Sequence, residues 1–215
     1  MVQRQGLRYA FDTFRQVHLF DIRNGVTTAP IFPLSSYEAT SRNLEFAFQY
    51  QASWTSTTRS LFYLAKSKLQ DEMDEYAFID VGSGMGKVAL VWQQELHRLK
   101  LEQPIILVEL EESLLRMAER NMDRMFPGCE TSYLLSDVLD VDFRQFNRKL
   151  ILFLQNPFTP PVMIELASRL ANLEHILLLA NPTLSTTIQD CGYTEVQKTE
   201  SYHQLGRGAI FVPSV

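Results

Sequence analysis

Residues 76–90 decide the fold: Tyr76-Ala77-Phe78-Ile79-Asp80-Val81-Gly82-Ser83-Gly84-Met85-Gly86-Lys87-Val88-Ala89-Leu90. YAFIDV (76–81) is a short apolar run that ends in an acid and a valine. GSGMG follows, and KVALVWQQELHRL (87–99) then sets Val88, Val91, Trp92, Leu96 and Leu99 on one helical face. A strand that turns through glycines directly into a helix is the opening unit of a layered α/β domain. The glycines let the backbone turn tightly and approach a ligand without a Cβ in the way. The helix start adds unpaired N–H groups.

The same alternation continues outward. Upstream, STTRSLFYLAKSKL (56–69) predicts a helix with Leu61, Leu64, Ala65 and Leu69 on its apolar stripe. Downstream, PIILVEL (104–110) predicts a second strand. Glu111 and Glu112 then open a helix at its positive end. TSYLL (131–135), KLILFLQ (149–155) and HILLLA (175–180) predict three more strands, and Pro160-Pro161 suits the first turn of a helix. YTEVQKTESY and GAIFVPS close the chain as two strands turning around Gly206 and Gly208. Runs such as IILV and LILFL are what strands buried on both faces require. The expected fold is a doubly wound α/β sheet, with strands and helices alternating through five cycles before an antiparallel C-terminal hairpin. Ligands in such sheets bind beyond the carboxyl ends of the strands.

The glycine loop itself reads three ways. A dinucleotide fingerprint is G-x-G-x-x-G, and here the third glycine comes one residue early. A P-loop ends in Gly-Lys-Ser/Thr, and here Gly86-Lys87 precedes Val88. A plain glycine turn before a helix is the third reading. The other strand ends narrow the choice. Glu109 ends strand two, 23 residues after Gly86, where a carboxylate can accept from a ribose diol. Ser136-Asp137-Val138 follows strand three, where an acid and backbone N–H groups could read an adenine edge. Asn156-Pro157-Phe158 follows strand four.

With these residues in place, the chain over 56–215 resembles the class I S-adenosylmethionine-dependent methyltransferases. The family's first motif is matched by Asp80 with Gly82, Ser83, Gly84 and Gly86. Its ribose-binding acid is matched by Glu109, with Leu110 beside it, and its adenine motif by Asp137 and Val138. The final hairpin matches the family's reversed last strands, so the resemblance implies a seven-stranded, mostly parallel sheet. It also implies S-adenosylmethionine as cofactor and methyl transfer to a nucleophile. FIDVGSGMGKVAL is similar as well to the cofactor loop of non-SET histone lysine methyltransferases of the disruptor-of-telomeric-silencing type. The chain as a whole resembles small bacterial methyltransferase-like proteins with an NPF element after strand four.

Asn156-Pro157-Phe158 is the acceptor-side candidate. Relatives that methylate nitrogen often carry Asn/Asp-Pro-Pro-Tyr/Phe there. In those relatives the Asn oxygen and a following carbonyl accept from the target nitrogen, and an aromatic ring stacks on it. Asn156, Pro157 and Phe158 are the catalytic candidates on that pattern, although one proline is missing here and the ring is shifted by one position. The favoured reading of Asn156 is a lining residue of the cofactor pocket.

Residues 1–55 read as an N-terminal extension, a lid or an element of the acceptor site. Within it, TTAPIFPLSSYEATSRN reads as loop, and Tyr37 and Trp54 are either pocket or packing residues. His203 is a possible base or a structural histidine. Histidine and acid spacings suggest no metal. A net charge of -5 makes nucleic acid a less expected acceptor than a protein or small-molecule nitrogen or oxygen. Cys129 and Cys191 form no CxxC pair and read as reduced thiols. With no membrane-length apolar run and no signal-peptide pattern, the expected location is the cytoplasm. A non-catalytic binding or scaffold protein and a nucleotide-dependent oxidoreductase stay open as rival functions.

Overall fold

The computed structural model describes residues 2–214. Seven strands form one sheet: β1 (Tyr76–Val81), β2 (Ile105–Glu109), β3 (Thr131–Leu135), β4 (Lys149–Leu154), β5 (His175–Ala180), β6 (Tyr193–Thr199) and β7 (Gly208–Pro213). They lie in the order β3-β2-β1-β4-β5-β7-β6. β1 pairs in parallel with β2 and β4, β2 with β3, and β4 with β5. β7 runs antiparallel to both β5 and β6. The sheet is therefore the seven-stranded, mostly parallel one expected, with its antiparallel hairpin at one edge.

The continuous apolar runs bury both faces of the central strands. Phe78, Ile151, Phe153, Ile176 and Leu178 face one core, which α3 (Thr55–Leu69), α4 (Lys87–Leu99) and α5 (Glu112–Met125) cover. Ala77, Ile79, Leu150, Leu152, Leu154, Leu177 and Leu179 face the other, covered by α6 (Pro160–Leu170) and the short α7 (Ser185–Asp190). This is the alternation of side chains along a strand, with both faces apolar.

Two features differ from the sequence reading. No α-helix links β3 to β4. Two 3₁₀ turns, Val138–Asp140 and Phe143–Phe146, make that crossing, and Val138, Leu139, Val141 and Phe143 fill the second core from it. The run of helical cycles is broken there because Asp137 and Asp142 each cap a turn too short to become a helix. The small α7, between β5 and β6, carries no helical stripe of useful length in the sequence.

Residues 2–24 form α1 (Val2–Thr13), interrupted at Gly6, a π-helical turn (Phe14–His18) and α2 (Leu19–Asn24), which ends on left-handed Gly25. The segment from Gly25 to Trp54 then runs over the carboxyl ends of the strands with two short 3₁₀ turns, Leu34–Ser36 and Leu44–Phe46. Cys129 and Cys191 are free thiols. Among the described residues no helix is long and apolar enough to cross a membrane.

Trp92 anchors the first core. It is fully buried, stacks on Phe78 at 4.0 Å and meets Phe62 edge-on. Its indole N–H donates to Gln103 Oε1 at 2.7 Å, and Gln103 in turn donates to the Met73 carbonyl. Trp92→Ala is expected to lower the unfolding free energy by about 3–5 kcal/mol in a denaturant titration, the usual cost of a large core deletion. A loss under about 1 kcal/mol would contradict this packing.

Candidate functional site

A cavity of about 490 Å³ opens at the carboxyl ends of β1, β2, β4 and β5, within the range of small-molecule sites. Asp80, Gly82, Ser83, Glu109, Leu110, Asp137, Val138, Asn156, Pro157 and Phe158 all line it. Gly84 and Gly86 are not among its lining residues, and the geometry gives each a different duty. Gly84 has φ of 53°, and a Cβ there would run into the Tyr50 ring. Gly86 has φ of 80° and begins α4, where a Cβ would lie 3.0 Å from Ala118 of α5. The first glycine lets a tyrosine of the extension lie on the loop. The second lets two helices approach.

Glu109 holds the loop in place. Its Oε2 accepts from Gly84 N–H at 2.7 Å, and its Oε1 accepts from Leu110 N–H at 2.8 Å and Glu111 N–H at 3.0 Å. Burial pushes its pKa above the usual carboxylate range, and the three backbone donors oppose that rise.

The extension supplies one wall of the cavity: Tyr37, Asn43, Ala47, Phe48, Tyr50 and Ser53 all face it. Tyr50 donates from its hydroxyl to the Thr28 carbonyl at 2.8 Å. Asp137 Oδ2 accepts from Ser41 Oγ–H and from Asn43 Nδ2 at 2.8 Å, while Oδ1 caps Leu139 N–H at 2.9 Å. These donors hold its carboxyl below the ordinary value against the opposing effect of burial. Glu111 accepts from the Glu38 and Ala39 N–H groups, tying the strap to the start of α5.

Several polar groups around the cavity have no partner. Asp80 Oδ2, Ser83 Oγ, Lys87 Nζ, Gln155 Oε1 and Asn181 Oδ1 are buried and unbonded among the described residues, and all five residues line the cavity. Native proteins leave few such groups, so a cluster of them around one space marks a place that a ligand completes. Burial pushes Asp80 up to about 8, and pushes Lys87 down to about 7 with Asp21 opposing.

The Asn156-Pro157-Phe158 element is engaged by the chain itself. Asn156 Oδ1 accepts from Thr183 Oγ–H at 2.6 Å, and the Pro157 carbonyl accepts from Phe48 N–H at 3.2 Å. Phe158 pairs with Ala47 as an isolated antiparallel bridge and packs into the second core. Each of these two oxygens therefore already has one internal donor. Asn181-Pro182 repeats the Asn-Pro step at the end of β5. Asn181, which the sequence reading passed over, carries one of the unpartnered oxygens, and that repeated step was the available signal.

His203 and Trp54 lie apart from the cavity lining. His203 stacks between Tyr9 and Trp54, at 4.5 and 5.0 Å, and its Nδ1 accepts from Leu205 N–H. Both are packing residues. Tyr37, also in the wall, is pushed upward by burial and by Glu109. No cluster of three or more potential metal ligands occurs among the described residues.

Solved structures share this overall fold. The fold is that of the class I methyltransferases. A putative RNA methyltransferase from Pyrococcus horikoshii matches 85% of this chain and 95% of its own at 13% identity, with a TM-score of 0.56. A putative class I S-adenosylmethionine-dependent methyltransferase from Listeria monocytogenes matches 81% of this chain and 62% of its own, at 11% identity and 0.56. The magnesium protoporphyrin IX methyltransferase of Synechocystis, solved with bound S-adenosylmethionine, matches 73% and 77% at 14% identity and 0.51. No protein-family model matches the sequence, and no curated protein does.

Glu109→Ala strands three N–H groups at once. In urea unfolding of the ligand-free protein it is expected to lose about 1–3 kcal/mol, the cost of leaving buried donors unsatisfied. Unchanged stability would show that Glu109 does not hold the glycine loop.

Proposed function

We propose that this chain binds S-adenosylmethionine in the cavity and transfers its methyl group to a nitrogen or oxygen of a small-molecule or protein acceptor. The observation that carries this reading is the set of unpartnered polar groups at the ends of β1, β4 and β5, which surround one cavity beside the glycine loop. Asp80, Gly82, Ser83, Glu109, Leu110, Asp137 and Val138 are the proposed cofactor residues, with Glu109 toward the ribose and Asp137 toward the adenine. Gly84 and Gly86 shape the loop that carries them. The bound cofactor would supply a sulfonium-bound methyl group, whose transfer to the acceptor releases the neutral thioether S-adenosylhomocysteine, so that catalysis rests on positioning.

The chain's own part is to fix geometry and exclude water. The strap from Tyr37 to Ser53 closes the cavity, which supports residues 1–55 as a lid and acceptor-site element and 56–215 as the cofactor domain. On the acceptor side, Gln155 Oε1 and Asn181 Oδ1 offer unused acceptor oxygens, whereas Asn156 and Pro157 are already bonded. Asn156 is accordingly proposed as a lining residue.

The acceptor is not fixed by the fold, whose solved examples include enzymes named for RNA and for magnesium protoporphyrin IX. The cavity is lined by three acidic side chains, Asp80, Glu109 and Asp137, and one basic one, Lys87. That is not the basic groove that draws in a polyanionic acceptor by its phosphates.

Calorimetric titration tests the cofactor class. Saturable binding of S-adenosylmethionine and S-adenosylhomocysteine, with none of NAD or ATP, is expected. Binding of NAD alone would favour an oxidoreductase, and binding of none would favour a scaffold of the same fold.

A further inference from the structure

Three of the unpartnered groups sit within eight residues of chain, at the end of β1, in the glycine loop and at the start of α4. They are Asp80 Oδ2, Ser83 Oγ and Lys87 Nζ. Lys87 is only 1% exposed. Its Nζ lies 3.4 Å from the centroid of the Phe20 ring and 4.0 Å from Asp21 Oδ1, and no hydrogen bond reaches it.

Asp21 does not complete the ammonium. Its Oδ1 already accepts from Thr28 Oγ–H at 2.6 Å, and its Oδ2 from the N–H groups of Thr28 at 2.6 Å and Ala29 at 2.8 Å. The carboxylate therefore shapes the extension and attracts Lys87 from a distance. The Phe20 ring face eases the desolvation of a cation but offers no hydrogen-bond acceptor. A buried ammonium with three donors and no acceptor is an unfinished site.

A ligand that finishes this cluster must bring a negative group for Lys87 and hydrogen-bond donors for Asp80. A phosphate satisfies the lysine but brings no positive group to pair with Asp80. A bare nucleoside brings hydroxyl and amino donors for Asp80 but no negative group for Lys87. An α-amino acid brings a carboxylate and an ammonium on one carbon, and so can answer both. Resting on the cofactor reading above, we infer that Lys87 is the specificity residue for the amino-acid end of the cofactor. It pairs with the α-carboxylate, while Asp80 and Ser83 face the α-ammonium. Phe20 and Asp21 of the extension are positioning residues that hold the lysine stem and its charge in place.

The test compares S-adenosylhomocysteine with 5′-methylthioadenosine, which keeps the thioadenosine and lacks the amino acid. Calorimetry is run on the wild type and on Lys87→Met, with thermal melting of the ligand-free proteins. The wild type is expected to prefer S-adenosylhomocysteine by about tenfold or more, the scale of a charge-assisted hydrogen bond. Lys87→Met is expected to lose about tenfold of that affinity, to hold 5′-methylthioadenosine within about twofold, and to melt no lower than wild type, because the buried cation removed has no hydrogen-bond acceptor. Lys87→Met binding S-adenosylhomocysteine as the wild type does, or losing both ligands equally, would overturn the assignment. Equal wild-type affinity for the two ligands overturns the Lys87 role and leaves the adenosine site standing. Binding of neither overturns the cofactor reading with it. If Lys87→Met does not fold, Lys87→Gln in the same comparison decides, with the same loss of preference expected and an unchanged preference overturning the assignment.

Discussion

The Glu109 carboxylate joins two parts of the backbone that must meet for the cavity to exist. β1 and β2 are parallel neighbours in the register Val81 to Val108. The residue after that pair on β2 is therefore level with the start of the glycine loop. A carboxylate there reaches Gly84 N–H on one side and its own turn on the other. Three of its roughly four lone-pair directions are then in use. A ribose diol needs two acceptor directions, so its full engagement requires Glu109 to release one backbone donor. The Gly84 bond is the natural one, since it alone reaches across to another strand's loop.

What lies on that loop depends on the same constraint. Gly84 has no Cβ, so the Tyr50 ring rests directly on the backbone that Glu109 fixes. Tyr50 is in turn held by Thr28, Thr28 by Asp21, and Asp21 draws Lys87 to the first turn of α4. The extension thus forms part of the cavity wall. Ser41 and Asn43 close on Asp137, and Phe48 and Ala47 close on Pro157 and Phe158. Each contact ties a strand end of the sheet to a residue before position 55.

The sheet was legible because its signals are local. IILV, LILFL and HILLLA bury on both faces whatever their neighbours, and GSGMG needs only its own turn to be read. The acids Glu109 and Asp137 were legible by position, since a parallel sheet puts every strand end on one edge. The extension was not legible, because its order comes from partners far along the chain: Ser41 from Asp137, Tyr50 from Gly84, Phe48 from Pro157. Lys87 showed the same limit. In the sequence it figured only in the P-loop comparison, which Val88 ruled out, and its isolation became visible once Asp21 and Phe20 were folded against it. The crossing from β3 to β4 was misjudged for a local reason, as two aspartate-capped turns interrupt the helix that the alternation implied.

A crystal structure of the protein with S-adenosylhomocysteine tests the central claim most directly. The expected result is the ligand in the cavity, with its ribose on Glu109, its adenine beside Asp137 and its carboxylate on Lys87. A ligand bound elsewhere would contradict the account, as would a cavity left empty at saturation with Glu109 still on all three backbone donors.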